Sequence, residues 1–270
     1  MAVIHILQTG STLASPAVPD RCTRKSEFAY TGLFQSRKDR ISVPVKAFLV
    51  TVAGHRILID TGWGPECIQN PIHHMGFGLW FASQPVMEEG EAVCQQIQRL
   101  GIKQKDIDAI LMTHLDCDHA SGLRSLKNVK KIYTTEEETD PDNLRNVRYH
   151  EAFWKGISFS IYPMKEDAAA PFGRSADLFG DGSVVVYYTP THSAGSVMIK
   201  VTENNHFVLF AGDNGYNRNS WEKLLLPGPI FHKGNMRHVL EFISELSRNR
   251  ECAGIYAAHD PEILPGVYKF

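Results

Sequence analysis

The stretch Thr113-His114-Leu115-Asp116-Cys117-Asp118-His119 decides how this chain is read. It follows the apolar run Ala109-Ile110-Leu111-Met112, which reads as a buried strand, and it precedes a glycine-containing turn. Four side chains that can bind a metal fall between positions 114 and 119. A strand end followed by a tight turn points several of them at one spot. Imidazole and carboxylate together suit a divalent ion such as zinc, iron or manganese. The bland alternative is a polar turn whose side chains are solvated.

Three more residues repeat that local context. His192, in Tyr188-Thr189-Pro190-Thr191-His192-Ser193-Ala194-Gly195-Ser196, follows an expected strand over Ser183 to Tyr188. Asp213 closes the apolar run Leu209-Phe210-Ala211-Gly212-Asp213, and His259 closes Tyr256-Ala257-Ala258-His259. Each sits where scaffolds place chemistry, in a loop just beyond a strand. One such residue is unremarkable, but four such places in one chain are hard to reconcile with solvated polar ends.

Around these motifs the chain alternates strands and helices. Strands are expected at 3–8, 43–52, 56–60, 109–112, 131–134, 157–164, 183–188, 196–202, 207–211 and 252–258. Helices are expected at 88–100, 105–107, 120–126 and 237–248. Residues 10–39 read as irregular with an edge hairpin, and 63–86 as a long loop without period. The acidic, Asn- and Pro-punctuated run from Glu136 to Val147 reads as a surface segment. Strands in two clusters, each followed by helices, imply two packed sheets with helices outside.

With its motifs in this order, the sequence resembles the metallo-β-lactamase-fold hydrolases, and within them most the N-acyl homoserine lactonase-like branch. The resemblance runs from about Val43 to His259. It implies an α/β fold, a four-layer αββα sandwich, as one domain over 1–270. It further implies a dinuclear hydrolase that opens a lactone or carboxylic ester by attack of a metal-bridging hydroxide. By resemblance, His114, Asp116 and His192 hold one ion, Asp118, His119 and His259 hold the other, and Asp213 bridges them. Two divalent ions are implied, zinc first, with iron or manganese as competitors. Asp118 handles a proton, and Tyr216, three residues past Asp213, assists the carbonyl or leaving oxygen. Asp60, in Leu58-Ile59-Asp60-Thr61-Gly62, matches an early Asp that supports the site from behind.

One position departs from the pattern. Asp116 stands where the family has its second histidine. Diiron flavoproteins of the same fold carry a Glu there, so a carboxylate is compatible with a ligand. Alternatively Asp116 is too short and the first ion is weakly held. The departure keeps a diiron redox module open as a second function, and a phosphoester hydrolase is a third.

Met75, Phe77, Leu79, Trp80 and Phe81, with the Phe153-Trp154 pair, either cover the cleft against an acyl or aromatic substituent or pack a helix or dimer contact. His73-His74 lacks the strand-end setting and reads as structural; His232, in Pro229-Ile230-Phe231-His232, reads first as structural and second as a pocket residue. Cys117 turns away from the ligands. Lys127, Lys130 and Lys131 form a solvated edge.

Composition agrees with a small-molecule enzyme. The chain has 270 residues, with 28 Lys and Arg against 30 Asp and Glu, and a formal charge of -2. That balance argues against a nucleic-acid partner. No run reaches the ~18 apolar residues of a membrane span. Five scattered cysteines form no CxxC pair, so free thiols and a cytoplasmic setting are expected. The exposed apolar loop makes a homodimer reasonable.

Overall fold

The computed structural model describes residues 1–21, 26, 28–33 and 35–270. Cys22 lies outside them; Cys67, Cys94, Cys117 and Cys252 are free thiols.

The first sheet begins with β1 (Val3–Ala14), β2 (Ile41–Val52) and β3 (His55–Ile59), joined in antiparallel register. The β2–β3 turn is Ala53-Gly54, with φ of 48° and 82°. Positive φ at both central residues matches the twist of a two-residue hairpin. β4 (Gln84–Val86) pairs with β1, and β5 (Ala109–Leu111), β6 (Ile132–Thr134) and β7 (Ser160–Ile161) follow β3 in parallel. The second sheet contains β8 (Lys165–Glu166), β9 (Arg174–Asp177), β10 (Val184–Tyr188), β11 (Val197–Glu203), β12 (His206–Phe210) and β13 (Cys252–Tyr256). Its order is β13-β12-β11-β10-β9-β8, with β12 and β13 parallel. β14 (Gly266–Lys269) returns to the outer edge of β1.

Period-two alternation places the core. Ile4, Ile6, Phe48, Val50, Ile57 and Ile59 meet Val184, Val186, Val197, Ile199, Val208 and Phe210 between the sheets. The opposite faces carry helices. Val93, Ile97, Leu123 and Leu126 pack on Leu49, Leu58 and Ile110 of the first sheet. The helix Lys233–Ser247 lays Met236, Val239, Leu240 and Ile243 on Tyr187, Met198 and Leu209 of the second. Each such side chain, fully buried, contributes about 1.5–3 kcal/mol before entropy is counted. The layering is the αββα sandwich that the strand clusters imply.

Several elements differ from the sequence reading. β1 does not stop at Gln8 but continues to Ala14 through a bulge between Gln8 and Ser11. Gly10 makes this feasible, because it has φ 80° and a Cβ there would sit 2.4 Å from the Val86 carbonyl oxygen. Residues 63–86 are no open loop; they hold short helices at Glu66–Gln69, Pro71–Met75 and Phe77–Ala82. The expected strand over 157–164 shrinks to β7, an edge strand that ends before Pro163, which has no N–H to donate. The helix expected from 88 narrows to Val93–Arg99, while the one expected from 237 begins at Lys233, where the His232 side chain accepts from the Asn235 amide. Among the described residues no helix is long and apolar enough to cross a membrane.

Candidate metal centre

Five strand ends converge at one edge of the sandwich. β5 delivers the 113–119 turn, β10 leads to His192, β12 to Asp213, β13 to His259, and β3 ends on Asp60. Asp60 organises the first turn. Its carboxylate accepts from the Thr113 amide, the Thr113 hydroxyl and His119 Nδ1, each at 2.8 Å. Asp60 sits at φ 56°, a conformation that its own short polar side chain tolerates better than a branched one.

The same logic fixes all four imidazoles. His119 gives Nδ1–H to Asp60. His259 gives it to the Pro44 carbonyl at 2.8 Å, and His192 to the Pro229 carbonyl at 3.2 Å. The Thr113 hydroxyl donates to Asp60, so it accepts from His114 Nδ1 at 2.9 Å. With each Nδ1 acting as donor, each Nε2 faces inward, and in the neutral ring that nitrogen carries the lone pair a metal ligand requires.

The inward atoms crowd together. Asp213 Oδ1 is 3.1 Å from Nε2 of both His119 and His259, and these two nitrogens are 3.2 Å apart. Asp213 Oδ2 lies 3.5 Å from His192 Nε2 and 4.0 Å from His114 Nε2. His114 Nε2 is also 3.5 Å from Asp116 Oδ2, and His259 Nε2 is 3.5 Å from Asp118 Oδ2. His114 Nε2 and Asp213 Oδ1 are buried with no hydrogen-bond partner. A buried lone pair left unsatisfied is costly, and a divalent cation would satisfy both. The donor set therefore fits such ions. The ligand atoms of His114–Asp116–His192, of Asp118–His119–His259 and of His114–His119–Asp213 each lie within 4.8 Å of one another.

Electrostatics agrees. Burial disfavours ionised Asp213, but the imidazoles of His259, His119 and His192 hold its carboxyl well below the usual carboxylate range. Burial disfavours charge on His119 as well, yet Asp213 and Asp60 push its pKa well above that of a free imidazole; burial likewise opposes, and Asp213 overcomes, the upward shift of His259. Without a cation this cluster draws in protons, and a divalent ion would replace them.

The seven residues singled out from sequence are thus brought together. Tyr216 joins them: its ring stacks on His259 at 4.9 Å, and it lines a cavity of about 1150 Å³ that also opens onto Asp116, Asp118 and Asp213. Leu79 and Phe81 line that cavity, with Leu33, Val43, Ile230 and Phe231. Met75 and Phe153 are instead buried in the helix-side core, and Trp154 packs against them. His74 is buried against the Ser121 hydroxyl at 3.1 Å, and His73 and His232 are exposed on their helices. Cys117 borders the cavity, but burial and then Asp118 and Asp116 raise its thiol pKa strongly, so it is a poor nucleophile. Lys130 pairs with Asp108 at 2.7 Å, on the surface.

Sequence reasoning missed two charged residues, one inside the run read as surface and one just past its end. Glu138 is fully buried. Its Oε1 accepts from the Leu115 amide at 2.9 Å and the Tyr149 hydroxyl at 2.8 Å. Its Oε2 accepts from the Ser193 hydroxyl at 2.7 Å and the Gly195 amide at 3.1 Å. One carboxylate thus ties the first ligand turn to the His192 loop. Gly195 permits the approach, since a Cβ there would stand 2.1 Å from the Thr135 hydroxyl. Arg148 is the second. Its Nε donates to Asp116 Oδ1 at 2.6 Å, its Nη2 to Asp116 Oδ2, and its Nη1 to the His192 carbonyl at 2.8 Å. The one sequence trace of this was Thr135-x-x-Glu138, a helix-start pattern in which Thr135 does accept from the Glu138 amide.

Known proteins are similar to this chain in sequence and fold. Residues 41–251 match the sequence profile described as the Metallo-beta-lactamase superfamily. The chain is 25% identical over 232 residues to the N-acyl homoserine lactonase AttM of Azorhizobium caulinodans, covering 84% of this chain and 86% of that one. It is 26% identical over 190 residues to an N-acyl homoserine lactonase of Bacillus cereus, covering 67% and 68%. Among solved structures it is similar to an N-acyl homoserine lactone hydrolase with the product N-hexanoyl-L-homoserine bound at its catalytic metal center, with TM-score 0.76, 19% identity, and coverage of 96% and 94%.

Proposed function

From the premise that the chain belongs to the metallo-β-lactamase superfamily and is a metal-dependent hydrolase, we propose that it opens a lactone or a related carboxylic ester at a dinuclear centre. The observation that carries this reading is the convergence of four inward Nε2 atoms and three aspartates on the floor of a largely apolar cavity. Residues 1–270 are read as one domain built around that floor.

His114, Asp116 and His192 would hold one ion, Asp118, His119 and His259 the other, with Asp213 between them; zinc is the first choice. When bound, divalent ions supply a nucleophile from water at neutral pH and a Lewis acid for the carbonyl under attack. The protein's own groups do the rest. Asp118, on the cavity wall, takes a proton from the attacking water and returns it to the leaving alkoxide. Burial, with Asp213 and Asp118 nearby, pushes the Tyr216 phenol well above its ordinary pKa. It therefore stays protonated and donates to the oxygen on which charge develops. Leu79, Phe81 and Ile230 offer an apolar wall to an acyl substituent, in keeping with the relatives named for acyl homoserine lactones. Asp116, the motive for a diiron redox reading, is engaged by Arg148, and nothing else in the site favours that reading.

The test is a panel of acyl homoserine lactones and aryl esters, assayed with protein loaded separately with zinc, iron and manganese. Ring opening that falls sharply in Asp118→Asn and Tyr216→Phe supports the reading. Fully metallated protein that turns over none of the panel contradicts it.

A further inference from the structure

The two halves of the ligand set are not equivalent. In one half, a guanidinium already stands at the ligating atoms. Arg148 holds both oxygens of Asp116, and its Nη2 also contacts His192 Nε2, the nitrogen lone pair that faces the site. Of the three ligating groups His114, Asp116 and His192, it occupies two and leaves His114 Nε2 without a partner. In the other half, no lysine or arginine hydrogen-bonds to Asp118, His119 or His259 among the described residues, and the histidine Nδ1 atoms are tied to Asp60 and the Pro44 carbonyl.

Arg148 is itself held in place. Its side chain is only 20% exposed, its Nη1 is anchored on the His192 carbonyl, and its neighbour Tyr149 is fixed to buried Glu138. A planar fork on a carboxylate is a strong, oriented contact.

We propose that Arg148 sets the order of metal loading: the Asp118–His119–His259 position fills first, and the His114–Asp116–His192 position fills only as Arg148 releases Asp116 and His192. This rests on the proposed function insofar as both clusters take metal. It adds that Arg148 serves as a built-in cation that stands in for the second ion until that ion arrives. Asp116 then has two alternative partners, which accounts for a carboxylate, the natural mate of a guanidinium, at the place where the family has histidine.

The test is calorimetric titration of metal-free protein with zinc and with cobalt(II), with metal counted by elemental analysis after gel filtration. The wild type is expected to take one tight equivalent and a second about 10- to 100-fold weaker. Arg148→Met is expected to bring the two affinities together. His259→Ala should remove the tight equivalent, and His114→Ala should leave it intact. The wild-type isotherm and the two histidine variants fix the order of loading, and Arg148→Lys, which keeps the charge but loses the planar fork on Asp116, tests the same residue if Arg148→Met does not fold; a folded Arg148 variant that keeps the wild-type separation of affinities would overturn the proposal. Two equivalents of equal affinity in the wild type, or a tight equivalent lost in His114→Ala and kept in His259→Ala, would overturn the proposal. No binding in any protein would overturn the metal reading together with it, whereas ordered loading without lactone turnover would leave this inference standing and contradict only the substrate.

Discussion

The strand ends and the segment from Thr135 to Trp154 build the same site in opposite ways. The strand ends present the proposed metal ligands: His114, Asp118, His119, His192, Asp213 and His259 point inward from turns that the sheets hold rigid. The 135–154 segment presents no ligand of its own. It contributes Glu138, Tyr149 and Arg148, which brace the ligand loops and cap one half of the site. Donors come from regular structure, where strand register fixes position. Their order and affinity are adjusted by a polar cover whose residues look ordinary in isolation.

The largest expected effect strikes the strand-end half. Asp118→Asn should lower kcat about 10²- to 10⁴-fold while the fold persists, since a general acid-base group is lost. Steady-state kinetics beside a thermal melt checks this, and a loss below tenfold would mean that Asp118 is not the proton carrier. Glu138→Ala strikes the cover. It strands the Leu115 and Gly195 amides and two hydroxyls, so unfolding free energy should fall by about 3 kcal/mol or more. Denaturant titration checks it. An unchanged midpoint would show that the brace is dispensable and the contrast overdrawn.

Asp60→Asn is a finer probe, because it keeps the size of the side chain while removing the charge that orients His119. Metal affinity should fall about 10- to 100-fold, with most of the loss in the tight equivalent. Competition with a chromogenic chelator measures it. The smallest effect concerns Lys46, a buried lysine whose Nζ donates to the Asp260 carbonyl at 2.7 Å, next to His259. Burial lowers its pKa from 10.5 to about 8, with Asp260 opposing. Between those values the unfolded chain binds more protons than the folded one, so stability should rise with pH across this window. The slope from one group is at most about 1.4 kcal/mol per pH unit. Melts from pH 8 to 10 on wild type and Lys46→Met should show that component only in the wild type.

The same contrast governs what could be read from the sequence. His192, Asp213 and His259 were legible because each follows an apolar strand, two of them directly at its end, and strand ends place side chains by register. The αββα layering was legible because the strands fall in two clusters, each followed by helices, and the continuous apolar runs of β10 and β12 need cover on both faces. Glu138 and Arg148 were not legible. Both lie in or beside a charged stretch that local pattern assigns to solvent, and only the approach of the 115 and 193–195 loops buries them. The extension of β1 past Gly10 was hidden by a turn residue that here makes a bulge. Within 63–86 the helices are too short, at four to six residues, to show a period.

Anomalous diffraction at the zinc edge, from crystals of protein purified without chelator and soaked in limiting zinc, tests the central claim most directly. The account predicts a strong peak among Asp118, His119, His259 and Asp213. It also predicts a second, weaker peak among His114, Asp116 and His192, growing with zinc as Arg148 moves off Asp116. Saturating zinc with no peak at these strand ends would contradict it.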